Sequence, residues 1–205
     1  MEIEFKRITD FPRGTLATLL KDGYSFEPKF ERNWHDQWQE FDDFFYDNPH
    51  IADFSGFMTV LEGKPIGFVS WNPTNLAEST EIGHNCILTK YKGNGYGKRQ
   101  MREAVQRIIA QGAQRIVVWT NQVCVPAQHT YESAGFQFVK KSEEPFSEYA
   151  GQRIHYKIIV VSDGCLFAAC GYVCNSTLPK FFFGGNLSVI LSMRDTSGYN
   201  YIYYK

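Results

Sequence analysis

Tyr91–Met101 reads YKGNGYGKRQM, with glycines at alternate positions (Gly93, Gly95, Gly97) and the basic pair Lys98-Arg99 directly after them. Just before it, Glu81–Thr89 (EIGHNCILT) has the character of a central strand. Just after it, Met101, Ala104, Val105, Ile108 and Ile109 recur at helical spacing up to a stop at Gly112. Glycine has no Cβ, so a strand–loop–helix of this kind lets backbone N–H groups at a helix N-terminus press against a bulky anion. Lys92, Lys98 and Arg99 add positive charge at that place. A tight strand-to-helix connection would use the same glycines. The spacing is not G-x-x-x-x-G-K-S/T, because no Ser or Thr follows Lys98. Nor is it G-x-G-x-x-G, because Gly97 comes one residue early and no acidic ribose ligand stands at the expected distance. A phosphorylated cofactor is implied.

Working outward, Glu2–Ile8 reads as a strand, and Asp10 as the N-cap of a short helix through Leu20. Pro28 opens a second helix whose Phe30, Trp34, Trp38, Phe41 and Phe45 form one apolar stripe, ending near Asn48-Pro49. Phe57–Leu61 and Ile66–Trp71 flank Glu62-Gly63-Lys64 as a hairpin. Beyond the glycine loop and its helix come a strand at Arg115–Thr120 and a helix from Pro126 to Gly135. Strands at Phe136–Lys140 and Arg153–Val161 follow. The order β, two helices, three strands, helix, strand, helix, two strands predicts an α/β domain with a single mixed sheet over residues 1–161.

The chain has 205 residues and a formal net charge of −1, against the basic balance of a general nucleic-acid binder. No apolar stretch follows a basic start, so no signal peptide is read, and the longest weakly polar run is too short to span a bilayer. Five cysteines without a CxxC pair point to a reducing cytoplasm rather than a disulfide framework. Charge is uneven along the chain. Asp22–Asp53 holds nine acidic residues against two basic, and Lys90–Arg115 seven basic against one acidic. These are either solvated helix faces or a basic cofactor half beside an acidic half that draws a cationic substrate, with Asp42, Asp43 and Asp47 as the attracting groups. The five histidines are scattered and Cys165, Cys170 and Cys174 lack zinc-site partners, so no metal site is read.

A second segment narrows the cofactor. Thr120–Phe136 reads TNQVCVPAQHTYESAGF, a strand end and a Pro-started helix with Tyr131 four residues before Gly135-Phe136. The two segments, in this order and at this separation, resemble the GNAT superfamily of acyl-CoA-dependent N-acetyltransferases. Its cofactor motif, Arg/Gln-x-x-Gly-x-Gly/Ala, is matched by Lys92-Gly93-Asn94-Gly95-Tyr96-Gly97 except at Lys92, which keeps the charge but not the guanidinium geometry. The resemblance covers residues 1–161 and implies a mostly antiparallel mixed sheet flanked by helices.

It further implies that Gly93, Asn94, Gly95, Tyr96, Gly97 and Lys98, with Lys92, hold the pyrophosphate of acetyl-CoA. Pantetheine would add like a strand along a gap between the fourth and fifth strands, taking main-chain contacts from Ile87, Leu88 and Thr89. An N–H near Leu88 would polarise the thioester carbonyl. Asn121 and Ala127 fall beside the pantetheine arm. Tyr131 matches the acid that protonates the departing thiolate; a helix aromatic packed in the core is the other reading of it. Glu81 and His84 are the candidate bases for an attacking amine. Strict strand alternation would place them on opposite faces, so that only one meets the cleft. Cys86 reads as core. The acceptor implied is a primary amine of a small molecule or peptide.

Two other classes remain open: a GNAT-like module that binds acyl-CoA or a partner without turnover, and a nucleotide-phosphate enzyme. After Val161 the composition changes. The last 44 residues hold five charged residues and three of the five cysteines, with Phe181-Phe182-Phe183 and Tyr199, Tyr201, Tyr203 and Tyr204. Leu187–Met193 and Tyr199–Tyr204 read as a hairpin that extends the sheet or buries its aromatics in a homodimer interface. The alternative is a non-native tail, for instance translated beyond a frame change.

Overall fold

The computed structural model describes residues 2–143 and 151–160, and the backbone of 190–194 and 200–204. Seven strands form one sheet: β1 (Ile3–Lys6), β2 (Gly56–Leu61), β3 (Lys64–Trp71), β4 (Thr80–Ile87), β5 (Arg115–Asn121), β6 (Gln137–Glu143) and β7 (Gln152–Ile159). Their order is β1-β2-β3-β4-β5-β7-β6, and every neighbouring pair is antiparallel except β4–β5, which is parallel. The β2–β3 connection is a two-residue turn in which Glu62 and Gly63 both take positive φ (50° and 76°), the conformation whose twist suits adjacent antiparallel strands.

Helices cover both faces. α4 (Tyr96–Ala110) and α5 (Val125–Ser133) bury Met101, Ala104, Val105, Ile108 and Tyr131 against Ile82, Ile116 and Val118. α1 (Thr15–Gly23), α2 (Pro28–Asp47) and α3 (Pro49–Phe54) cover the other face, setting Leu16, Leu20, Phe30, Trp38 and Phe45 against Met58, Val60, Phe68 and Cys86. Each such side chain contributes about 1.5–3 kcal/mol relative to exposure. The aromatic stripe of α2 is thus mainly core, as its spacing indicated. Among the described residues no helix is long and apolar enough to cross a membrane.

Three local readings change. Asp10 does not cap α1; it ends a short 3-10 turn (Ile8–Asp10) and pairs with Arg7 at 2.7 Å. The helix starts at Thr15 after Gly14 (φ 89°), and its N-terminus is capped from another element. Buried Asp42 of α2 accepts from Gly14 N (2.7 Å), Leu16 N (2.8 Å) and Ala17 N (3.2 Å). The chain then re-enters a helix at Pro49, which suits a first helical position, so α3 was missed.

The third change concerns β4. Val69 pairs with Asn85 but Trp71 pairs with Ile82, so Gly83 and His84 together face Ser70. This is a β-bulge, closed by the His84 N–H donating to Ser70 Oγ at 3.2 Å. It inverts the alternation across Gly83, and its effect on the site is given below. In the C-terminal extension, strands β8 (Ile190–Arg194) and β9 (Asn200–Tyr204) pair antiparallel as a sheet of their own. The aromatic side chains that the sequence singled out there lie outside the described residues.

Candidate active site

β4 and β5 are paired only at Thr80↔Ile116 and Glu81↔Val117. β4 continues to Ile87 and β5 to Asn121, so the strands part immediately beyond Glu81. The gap expected between the fourth and fifth strands is therefore present, with Glu81 at its vertex. α5 and the β5–α5 loop follow β5 on one side, and the glycine loop closes the far end of β4.

In that loop Gly93 and Gly95 both have φ of 79°, which L side chains rarely adopt. Gly95 precedes α4, and no side chain caps α4 among the described residues. The first-turn N–H groups therefore face outward, beside exposed Lys98 and Arg99 and with no acidic residue in that turn. Gly97 lies in the first turn, where an added Cβ would stand 3.6 Å from Ile87 Cγ1, so helix and strand end are in close contact. Lys92 is placed differently from Lys98. Its ammonium donates to Gly23 O at the C-terminus of α1 and lies 5.1 Å from the centroid of Phe26, tying the loop to the α1–α2 connection.

Of the main-chain groups expected along β4, only Ile87 presents its N–H to the gap. Leu88 N–H donates to Ile66 O of β3 (2.8 Å), so it is committed to the sheet and not turned to the gap. Thr89 N–H is taken by the Asp22 side chain. In an antiparallel ladder successive residues point their backbone groups to opposite sides, so with Leu88 bonded to β3, Ile87 faces the β5 side.

The bulge brings Glu81 and His84 to the same face of the sheet, against strict alternation. Glu81 Oε1 accepts from Trp119 Nε1 at 2.7 Å, with Arg153 stacked 3.8 Å from the Trp119 ring centroid. His84 meets the Phe41 ring of α2 at 4.4 Å. Ile82, between them and before the bulge, packs into the α4 face instead. Burial raises the Glu81 pKa, opposed by the Trp119 hydrogen bond and the Arg153 charge. Burial lowers that of His84 to about 4, so its imidazole is neutral at neutral pH.

Tyr131 is 4% exposed, with its ring near Phe136 (5.8 Å) and Tyr156 (5.9 Å), so it does pack in the core. Its hydroxyl, however, reaches polar groups of the cleft. Burial pushes its pKa up to about 12, a rise that the nearby Asn85 side chain of β4 opposes. Asn85 in turn accepts from Gln100 Nε2 of α4 at 2.7 Å. Gln100, fully buried, was missed, although a polar residue on the apolar stripe of α4 is a visible signal. Cys86 and Cys124 are buried free thiols; burial raises the pKa of both, that of Cys86 to about 12.

At the end of β5, Asn121 is 5% exposed; its Oδ1 accepts from Val123 N, while its Nδ2 is buried without a partner. An unmet buried donor beside the gap fits the carbonyl-rich pantetheine arm. Ala127, half-buried, packs against both core clusters at the seam. Loop, Ile87 N–H and Asn121 Nδ2 together fit acetyl-CoA. The three α2 carboxylates named as attracting groups are engaged within the fold. Asp42 caps α1, and Asp43 (3.0 Å) and Asp47 pair with Arg13.

The profile of the Acetyltransferase (GNAT) family matches residues 17–136. Among curated proteins no sequence matches the chain. Solved structures share the fold. A GNAT-family protein from Desulfovibrio desulfuricans is 18% identical at a TM-score of 0.62, covering 78% of this chain and 100% of that one. Ard1 from Thermoplasma volcanium is 12% identical at 0.61 (79% and 100%). A GNAT-family acetyltransferase from Elizabethkingia anophelis with acetyl-CoA bound is 13% identical at 0.55 (77% and 97%). With the profile spanning more than half of its length and this cleft beneath it, the chain belongs to the GNAT family of acetyltransferases, whose cosubstrate is acetyl-CoA.

Proposed function

We propose that the protein is a cytoplasmic N-acetyltransferase that moves the acetyl group of acetyl-CoA to a primary amine of a small molecule or peptide, directly within a ternary complex. The observation that carries this is the position of Glu81, a carboxylate of raised pKa in the last β4–β5 pair before the strands part. An amine is mostly protonated at neutral pH, and a carboxylate moved toward neutrality is a better base than an ordinary one. Glu81 takes one proton from the ammonium through water and passes it to solvent, then takes the second nitrogen proton once the N–C bond has formed. Ile87 N–H donates to the thioester carbonyl as the amine nitrogen bonds to its carbon. The carbon–sulfur bond breaks, and Tyr131 gives its proton to the sulfur and regains one from solvent. Backbone N–H groups of the glycine loop, with Lys98, hold the pyrophosphate, and Asn121 Nδ2 donates to the pantetheine arm.

His84, with a pKa of about 4, is the weaker base of the two candidates and reads as a wall of the acceptor site with Phe41. Direct transfer is favoured over an acyl-cysteine route because Cys86 and Cys124 are held as neutral thiols. The test is thiol release from acetyl-CoA across a panel of primary amines, comparing wild type with Glu81→Gln. Amine-dependent release that falls on the order of 10²-fold in the variant is expected. Equal rates would remove Glu81 from the mechanism.

A further inference from the structure

Trp119 is half-buried on β5, two residues beyond the last β4–β5 pair, Glu81↔Val117. Ile116 and Val118 pack into the α4 face, so alternation turns Val117 and Trp119 to the other face, where Glu81 lies. There the indole stands where the strands part, and Nε1 donates to Glu81 Oε1 at 2.7 Å. An indole N–H only donates, so this bond has one sense and needs no choice of rotor or amide orientation. The ring is held in turn by Arg153 of β7, whose guanidinium carbon lies 3.8 Å from its centroid. His155, opposite Trp119 on β7, is engaged by Ser142 of β6 at 2.8 Å.

The two oxygens of Glu81 therefore differ. Among the described residues Oε2 makes no hydrogen bond. Nor is it one of the buried side-chain atoms without a partner, which are Gln37 Oε1, Thr80 Oγ1 and Asn121 Nδ2. Oε2 is thus open to water. In a neutral carboxyl the carbonyl oxygen is the better acceptor, so a proton reaching Glu81 settles on Oε2 and leaves Oε1 to the indole. We propose that Trp119 is a positioning residue for the base: its N–H fixes Oε1 and so turns Oε2, the oxygen that takes the proton, into the cleft. The inference rests on the reading of Glu81 as that base. The charge that acts on Glu81 is that of Arg153; His84, further along β4 on the same face, is neutral near pH 7.

A half-buried carboxylate would gain from an indole N–H for stability alone, so the test reads the carboxyl and the rate separately. The carboxyl is read in the full chain by NMR of glutamate isotopically labelled at its carboxyl carbon, which needs no acceptor amine. The Glu81 signal is assigned by its loss in Glu81→Gln. The variants are Trp119→Phe, and Trp119 replaced by benzothienylalanine, which puts sulfur in place of the N–H and keeps the ring beneath Arg153. In both, the Glu81 titration should move up by about one pH unit, since a hydrogen bond to the charged form is lost. On the high-pH plateau kcat for acetyl transfer should fall about tenfold, with no further fall in the Glu81→Gln background. An unmoved titration in both variants, or a moved one with kcat unchanged, overturns the positioning role and leaves Glu81 as the base. A tenfold loss that persists in the Glu81→Gln background shows a merely structural effect and also overturns it. If Glu81→Gln itself leaves kcat unchanged, the reading of Glu81 falls and this inference with it.

Discussion

Glu81, His84 and Tyr131 are all withdrawn from water, and desolvation moves each toward its uncharged form, with different consequences. For Glu81 it makes a carboxylate more basic, and for Tyr131 it keeps a phenol protonated, with a pKa of about 12. Tyr131→Phe should lower kcat on the order of 10²-fold while acetyl-CoA affinity, measured by calorimetry, stays within about twofold. An unchanged kcat for every accepted amine would return Tyr131 to the core alone. His84 makes a prediction about stability. Its folded pKa of about 4 lies below the ordinary imidazole value of 6.5, so between those values the unfolded chain binds more protons. Its share of stability is full above pH 6.5 and is lost progressively as pH falls toward about 4. His84→Gln should flatten that part of a melting-temperature profile against pH; an unaltered slope would show that the imidazole is not desolvated.

At the scale of elements, what is read from sequence depends on whether the cause is local. The strand, glycine loop and helix from Glu81 to Ala110 are legible because Gly93, Gly95 and the apolar spacing of α4 act within a few residues of one another. The start of α1 is not, because its cap is Asp42, distant in sequence on α2. Asp42→Ala leaves buried N–H groups of α1 unmet, and urea unfolding should show a loss of about 2–3 kcal/mol. The shared face of Glu81 and His84 was equally hidden, since the bulge depends on which residue of β3 lies opposite. So was the commitment of the Leu88 N–H to the sheet, which follows from its bond to Ile66 O. Gly67 marks how closely β3 and β4 approach. A Cβ there would stand 2.3 Å from Cys86 O and 2.6 Å from Ile87 Cδ1. Gly67→Ala should therefore cost about 3 kcal/mol or more, or abolish soluble expression, whereas near-wild-type stability would contradict the close packing.

Over the whole molecule, all seven strands of the main sheet and every member of the core clusters lie before residue 161. We expect residues 1–161 to fold and turn over without the extension, with a melting temperature within a few degrees of the full chain. A chain that unfolds or loses assembly on truncation would make the extension part of the working protein. The domain was legible as a whole because the glycine loop and the Tyr131 segment carry the family resemblance jointly. The acceptor site proposed here was not, because its walls would come from side chains brought together from α2, β4 and β5. The central claim is acetyl transfer from acetyl-CoA to nitrogen, and mass spectrometry of a primary-amine panel incubated with acetyl-CoA and the protein tests it most directly. An N-acetylated product formed together with stoichiometric free thiol is the expected result. Tight coenzyme A binding with no acetylated amine across the panel would contradict the account and leave a binding module in its place.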